Sequence, residues 1–352
     1  MSKITKLKST LTHKKPFYLR LWFIIPIVAA ATILLWFRLS PVPGAFVIRT
    51  LFDLEANTKK TAMQAFTPDV DVTVRSDVRY GEATEELLDV YTPTAGIKAT
   101  ETLPVVVWTH GGAWLSGDKA DSDTYFKKLA AEGFIVVAPN YTLAPRAAYP
   151  TQINQLNKVL AYVVDHATEL SIDPERVVLA GDSAGAQLAS QMAAIATNTD
   201  YARSVAISPA ITASQLSGVA LFCGIYQVDR MAEKDTDLPK IVGWGMDITV
   251  WSFTGSRRPD SHMLAQASAY YNVTADYPPT FISGGNGDSL TKSQSIPFSE
   301  KLVSLGVPTT TLFYADNHEP SLPHENQFIF DADGIENFRI TVEYLKSLTE
   351  KE

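Results

Sequence analysis

Ser183 stands in the pentapeptide Gly181-Asp182-Ser183-Ala184-Gly185, directly after the apolar run Val177-Val178-Leu179-Ala180. A serine hydroxyl is a weak nucleophile until a neighbouring base takes its proton, and the chemistry that such a pairing serves is acyl transfer. Glycines at 181 and 185 suit a sharp turn from strand to helix, where a side chain at either position would block their close approach. In that setting Ser183 projects above a sheet, and the helix start beneath it favours developing negative charge. The bland alternative is a serine that caps a helix, which needs none of the partners described next.

The tetrahedral intermediate of acyl transfer needs donors aimed at its oxyanion. Upstream, an apolar run ends in His110-Gly111-Gly112-Ala113-Trp114. Two of the amides of Gly111, Gly112 and Ala113, joined by that of Ala184, can form such a hole. His110 sits at the wrong end of the array for a base and reads as a structural histidine that fixes the loop. Asp288, in Gly284-Gly285-Asn286-Gly287-Asp288, follows a predicted strand and is the candidate orienting acid, although an aspartate after glycine also makes an ordinary turn. Two histidines follow the last predicted strand. His318 lies nearer the strand end, whereas His324 precedes the apolar Phe328, Ile329 and Phe330, which can anchor it against the core while it faces a cleft. His13, His166 and His262 do not follow that strand.

These residues must be positioned by a scaffold, and the hydrophobic pattern supplies one. Runs at 104–110, 134–140, 176–182, 220–226, 279–285 and 309–315 read as strands whose near-continuous hydrophobicity suits burial on both faces. Helical patterns at 124–132, 151–167, 184–196, 293–305 and 334–348 lie between them, the signature of an α/β fold with a mostly parallel sheet. Residues 41–70 connect to the sheet through a proline-stiffened start and a short amphipathic helix. The stretch 229–277 breaks the alternation with Trp244, Trp251, Phe253, Tyr270 and Tyr271, and reads as a small cap over the site or as a surface excursion packed on the body. Cys223 falls in a predicted buried strand as a small core residue. Asn140 and Asn272 match the glycosylation pattern incidentally.

Ahead of this body lies a head of opposite charge. Residues 1–40 carry seven bases and no acid, against 23 bases and 38 acids in the remaining 312 residues. Within the head, residues 21–37 carry no charge, with Trp22 and Trp36 near the two ends. That is a transmembrane signal anchor at the short end of what crosses a core of about 30 Å, and Arg38 follows directly. A cleaved signal peptide fits less well, because Pro43 stands where a small residue is wanted before a cut after Ala45. The basic N-terminus places residues 1–40 as a single-pass anchor in the cell membrane, with the body 41–352 as one extracytoplasmic domain. The net charge of −8 and 46% hydrophobic content describe a packed globular chain and argue against a general nucleic-acid binder. A single cysteine permits no internal disulfide, and no Cys/His/carboxylate cluster suggests a metal or other cofactor.

Taken together, the His-Gly-Gly-Ala-Trp loop, 139–150 after the next strand, the Gly-Asp-Ser-Ala-Gly elbow, the Asn-Gly-Asp288 loop and a late histidine resemble the α/β-hydrolase superfamily, and within it bacterial esterases of the hormone-sensitive-lipase and BD-FAE-like type. The resemblance covers about residues 70–350 and follows that fold's order of Ser, Asp and His. It implies a carboxylesterase acting on short- to medium-chain or acetyl esters through Ser183, Asp288 and His324, with the amides named above as the oxyanion hole and no cofactor. Ala113 replaces a common third glycine, and neither histidine sits in the common His-Gly-Phe; the sequence around His324 resembles a variant ending of Gram-positive members. A peptidase or amidase of the same fold, and an inactive fold serving as a binding module, are the competing readings.

Overall fold

The computed structural model describes residues 17–69, 71–94, 102–232 and 239–349; the bases from Lys3 to Lys15 and part of the expected cap, 233–238, lie outside them. Eight strands form one sheet: β1 (Val72–Arg79), β2 (Leu87–Pro93), β3 (Leu103–Thr109), β4 (Ile135–Pro139), β5 (Ile172–Asp182), β6 (Leu216–Phe222), β7 (Thr280–Gly284) and β8 (Thr309–Phe313). Their order is β1-β2-β4-β3-β5-β6-β7-β8. β2 runs antiparallel to both β1 and β4, and every other pair is parallel. This is the α/β-hydrolase fold.

The continuous hydrophobicity of the central strands has a direct cause. In β5, Val177 and Leu179 face one core while Val178 and Ala180 face the other. Helices α4 (Thr151–Asp165), α5 (Ala184–Thr197) and α7 (Ile296–Ser304) cover the first face, and α3 (Asp123–Ala131) and α8 (Ala332–Thr349) the second. Because β3 is flanked by β4 on one side and β5 on the other, the loops leaving the carboxyl ends of β3 and β5 diverge, and a crevice opens between them.

The sequence reading missed β1 and β2. β1 is an edge strand, mostly exposed and interrupted by a register shift between Arg75 and Val78, so it carries no continuous apolar run. The expected strand at 220–226 is displaced: β6 ends at Phe222, and Cys223 turns out of it at φ 43°.

The N-terminal part departs furthest from the short connection expected at 41–70. Helix α1 (Phe17–Leu39) contains an apolar window, Trp22–Leu39, long enough to cross a membrane and with none of it buried against the body. Helix α2 (Val42–Met63) follows at once and extends over the sheet's carboxyl edge. Its first turns pack through Ala45 and Ile48 on Ile248 of α6 (Lys240–Thr254), with Leu115 and Ala144 completing the cluster. At Gly44 any side chain would meet Ile248 at 2.9 Å. Arg49 donates to the carbonyls of Leu115 and Ala144, fastening α2 to the loops after β3 and β4.

Candidate active site

The elbow is held by steric necessity. A Cβ at Gly185 would run into the Thr109 carbonyl oxygen, and one at Gly181 would lie 2.6 Å from the Gly185 carbonyl carbon. With both glycines in place, β3, β5 and α5 approach closely enough to force Ser183 to φ 51° and ψ −117°, a conformation that costs a non-glycine residue of order 1–3 kcal/mol. Its amide donates to the Phe222 carbonyl, and its side chain contributes to the wall of a cavity.

The loop after β3 is equally constrained. Gly112 has φ 90°, and Ala113 and Trp114 follow at 52° and 59°. Ala113 therefore occupies a left-handed position that glycine would take without strain. The Gly111 amide donates to Asp182 Oδ2 at 2.8 Å, which commits it to the loop and leaves Gly112 and Ala113, with Ala184, as the amides available to a ligand. His110 stacks on Tyr141 at 4.4 Å, and Nδ1 pairs with its neighbour's carbonyl oxygen, on Gly111, at 2.9 Å. Burial lowers its pKa.

His324 Nδ1 lies 2.9 Å from Asp288 Oδ2, and the Asp288 side chain is almost wholly buried. His318 instead pairs with Asp333 on the start of α8, at 3.0 Å. The imidazolium of His324 is disfavoured by removal from bulk water, yet the Asp288 carboxylate bonded to the ring and the nearby Glu325 carboxylate favour it, and the pKa is raised above the ordinary value. Burial raises that of the Cys223 thiol. Cys223, Asp288 and His324 are the one group of three metal-type donors among the described residues, within 4.8 Å of one another. A metal there would have to replace the bond between the histidine and the aspartate.

Three charged residues of the site escaped the sequence reading. Asp182 accepts from Trp108 Nε1 and the Gly111 amide, and burial foremost, then the charge of Glu325, push its pKa up to about 8. Glu325 adopts a left-handed conformation next to His324, with Oε1 4.0 Å from His324 Nε2. Its other oxygen accepts from Lys59 of α2 at 2.8 Å. Burial opposes ionisation of Glu325, but His324 and Lys59 prevail and hold its pKa below the usual value. The signal that could have found this pair was weak: Lys59 lies among other polar residues at the end of α2, 266 positions from Glu325.

These groups border a cavity of about 490 Å³. One wall is polar and belongs to the body: His110 to Ala113, Asp182, Ser183, His324 and Glu325. The other is apolar and comes from α2 and α6, through Ile48, Leu51, Phe52, Ile241, Val242 and Met246. The five aromatics of the expected cap do not line it. Phe253 stacks on Trp114 at 4.0 Å and Trp251 lies beneath Arg257, because large flat rings satisfy the cap's own attachment to the body.

A family model, BD-FAE, matches residues 88–302. The chain belongs to the BD-FAE family. The matched segment includes Ser183 and Asp288 and ends before His324. Among curated relatives, the probable carboxylic ester hydrolase LipM of Mycobacterium tuberculosis is 31% identical over 220 residues, 62% of this chain and 49% of that one, so the chain spans about half of LipM's length. The carboxylesterase NlhH of the same organism is 30% identical over 251 residues, 70% of this chain and 73% of that protein. The crystal structure of esterase B from Lactobacillus rhamnosis superposes with a TM-score of 0.73 at 22% identity, covering 87% of this chain and 95% of its own. That likeness extends the α/β-hydrolase fold beyond the family-matched segment.

Proposed function

We propose that this BD-FAE family member is a serine carboxylesterase. The observation that carries the proposal is the His324–Asp288 hydrogen bond at the edge of the cavity that Ser183 borders from its strained elbow. Ser183 Oγ attacks the ester carbonyl carbon as His324 takes its proton, with Asp288 orienting the ring and offsetting the imidazolium charge. The amides of Gly112, Ala113 and Ala184 hold the oxyanion. His324 then protonates the departing alcohol, and water, activated by the same histidine, releases the carboxylic acid and restores Ser183. The likeness to LipM, a probable carboxylic ester hydrolase, and to the carboxylesterase NlhH supports the same reaction class. A largely apolar wall around a cavity of about 490 Å³ favours a short- to medium-chain acyl group or an acetyl ester over a charged acyl group.

The same reading tethers the enzyme by α1, with the catalytic domain on the outer face of the cell membrane, from the basic residues ahead of the apolar helix. Protease treatment of intact cells, with carbonate extraction, tests the topology: a body protected in intact cells overturns it. For the chemistry, Ser183→Ala is expected to lower hydrolysis of p-nitrophenyl butyrate by about ten-thousand-fold or more while retaining the native melting temperature. Undiminished turnover, or faster cleavage of aminoacyl amides than of esters by the native chain, refutes the assignment. Failure of the folded native chain to react with a fluorophosphonate probe would favour a binding module.

A further inference from the structure

We propose that the mouth of the cavity rests in the membrane interface and takes its ester from the bilayer, so that the substrate class is an amphiphilic ester whose acyl chain lies among the lipids. This rests on the reading of α1 as a membrane anchor and of Ser183 as an esterase nucleophile.

Four apolar residues both line the cavity and stand open to solvent, Leu51 at 60%, Phe52 at 37%, Ile241 at 70% and Val242 at 44%, and Glu55, paired with Lys59, is the one exposed charge among the lining residues. The apolar surface continues beyond the mouth. On α2, Val47 and Leu54 flank Leu51 at helical spacing and are exposed at 40% and 62%, and Phe46 at 70%. A soluble domain seldom leaves a pocket rim of this character uncovered.

The covalent structure says what covers it. Helix α1 ends at Leu39 and α2 begins at Val42. The junction is stiff: Ser40 N donates to the Trp36 carbonyl and Ala45 N to that of Pro41. Arg257, just past α6, donates to the Arg38 carbonyl at 2.8 Å, so the cap grips the end of the span. From Val42 to Leu51 is nine residues, or about 14 Å along a helix even if it ran straight away from the bilayer. The headgroup zone accounts for roughly 5–7 Å of that, and an interfacial helix sinks about 5–10 Å into the boundary. A span that stops two residues before α2 therefore keeps the rim beside the lipid. Arg38, Arg257 and Arg258, exposed at this junction, suit anionic headgroups. An ester partitioned in the leaflet then reaches Ser183 without crossing water, its acyl chain entering along Leu51 and Val242.

The test uses the full chain reconstituted in phosphatidylcholine–phosphatidylglycerol vesicles, with an environment-sensitive fluorophore on a single introduced cysteine; Cys223 is buried and unreactive by comparison. Labels at Leu54→Cys and Val242→Cys are expected to be quenched by brominated acyl chains. A label at Ser214→Cys, at the opposite edge of the sheet, is expected to be unaffected. If a label at Leu34→Cys in α1 is unquenched, the anchor reading fails and the docking proposal with it. If Leu34 is quenched and residues 54 and 242 are not, the docking proposal alone is overturned. Blue-shifted emission at 54 that depends on protein concentration and is insensitive to brominated lipid indicates a second copy on this face and also overturns it. In parallel, Val47→Glu/Leu54→Glu, checked for a native melting temperature, is expected to lower the rate on a vesicle-dissolved long-chain ester relative to a soluble short ester by at least about tenfold. An unchanged ratio overturns the proposal, whereas loss of both activities in Ser183→Ala bears only on the esterase reading.

Discussion

The two walls of the cavity are built on opposite principles. On the body side, glycines exist because backbone atoms leave no room: Gly181 and Gly185 are trapped between β3, β5 and α5, and Gly285 and Gly287 face the Leu322 backbone near the histidine loop. On the cap side, Gly243 and Gly245 of α6 have nothing within 4 Å of where a Cβ would sit. The body wall holds His324 to Asp288 by one hydrogen bond and fixes the backbone that carries Ser183 through its glycines. The cap wall offers apolar surface held to the body by two charged side chains, Arg49 on the carbonyls of Leu115 and Ala144 and Lys59 on Glu325. Chemistry demands fixed geometry, whereas enclosure of an acyl chain demands only hydrophobic area.

The comparison can be broken most sharply at the two late histidines. His324→Ala is expected to reduce kcat by about a thousandfold or more, while His318→Ala, which loses a contact to Asp333 outside the cavity, stays within about twofold. Steady-state kinetics on a short p-nitrophenyl ester measures both, and an inverted result would move the base to His318. A second contrast is thermodynamic. Gly185→Ala must displace the Thr109 backbone and is expected to cost about 3 kcal/mol or more, but Gly243→Ala, in open space on a helix, is expected to stabilise by roughly 0.5–1 kcal/mol. Urea denaturation of the two variants reads this difference directly; equal effects would show that the walls are not so different.

The smallest effect tests the link between the walls. With His324 as the proposed base, its neutral form is the active one, and its raised pKa delays that form to higher pH, so kcat/KM is expected to rise as pH increases through the folded value. The Glu325 carboxylate contributes to the rise by favouring the imidazolium. In Glu325→Gln the negative charge beside the ring is gone while Lys59 keeps its ion pair with Glu55; the loss disfavours the imidazolium and moves the acid limb to lower pH. A pH–rate profile with an unmoved midpoint would mean that the pair acts only as a latch for α2.

What the sequence determined by itself is local and steric. The apolar runs of β3 to β8, the helices between them, and the Gly-Asp-Ser-Ala-Gly turn were legible because their residue types answer to contacts that recur wherever a strand passes to a helix. So was the apolar helix ahead of the body, since its signal is an unbroken run without charge. Tertiary structure alone decided the rest. Which histidine meets Asp288 depends on how the loop after β8 folds back, and both candidates had suitable neighbours in sequence. Commitment of the Gly111 amide to Asp182 joins residues 71 positions apart. The cap was read from the aromatics at 229–277, but α2 and the aliphatic side of α6 form the wall, because a helix entering from the N-terminus can reach the sheet's carboxyl edge only in three dimensions. Lys59 and Glu325 meet for the same reason, and a charge pair separated by most of the chain has no period or motif to announce it.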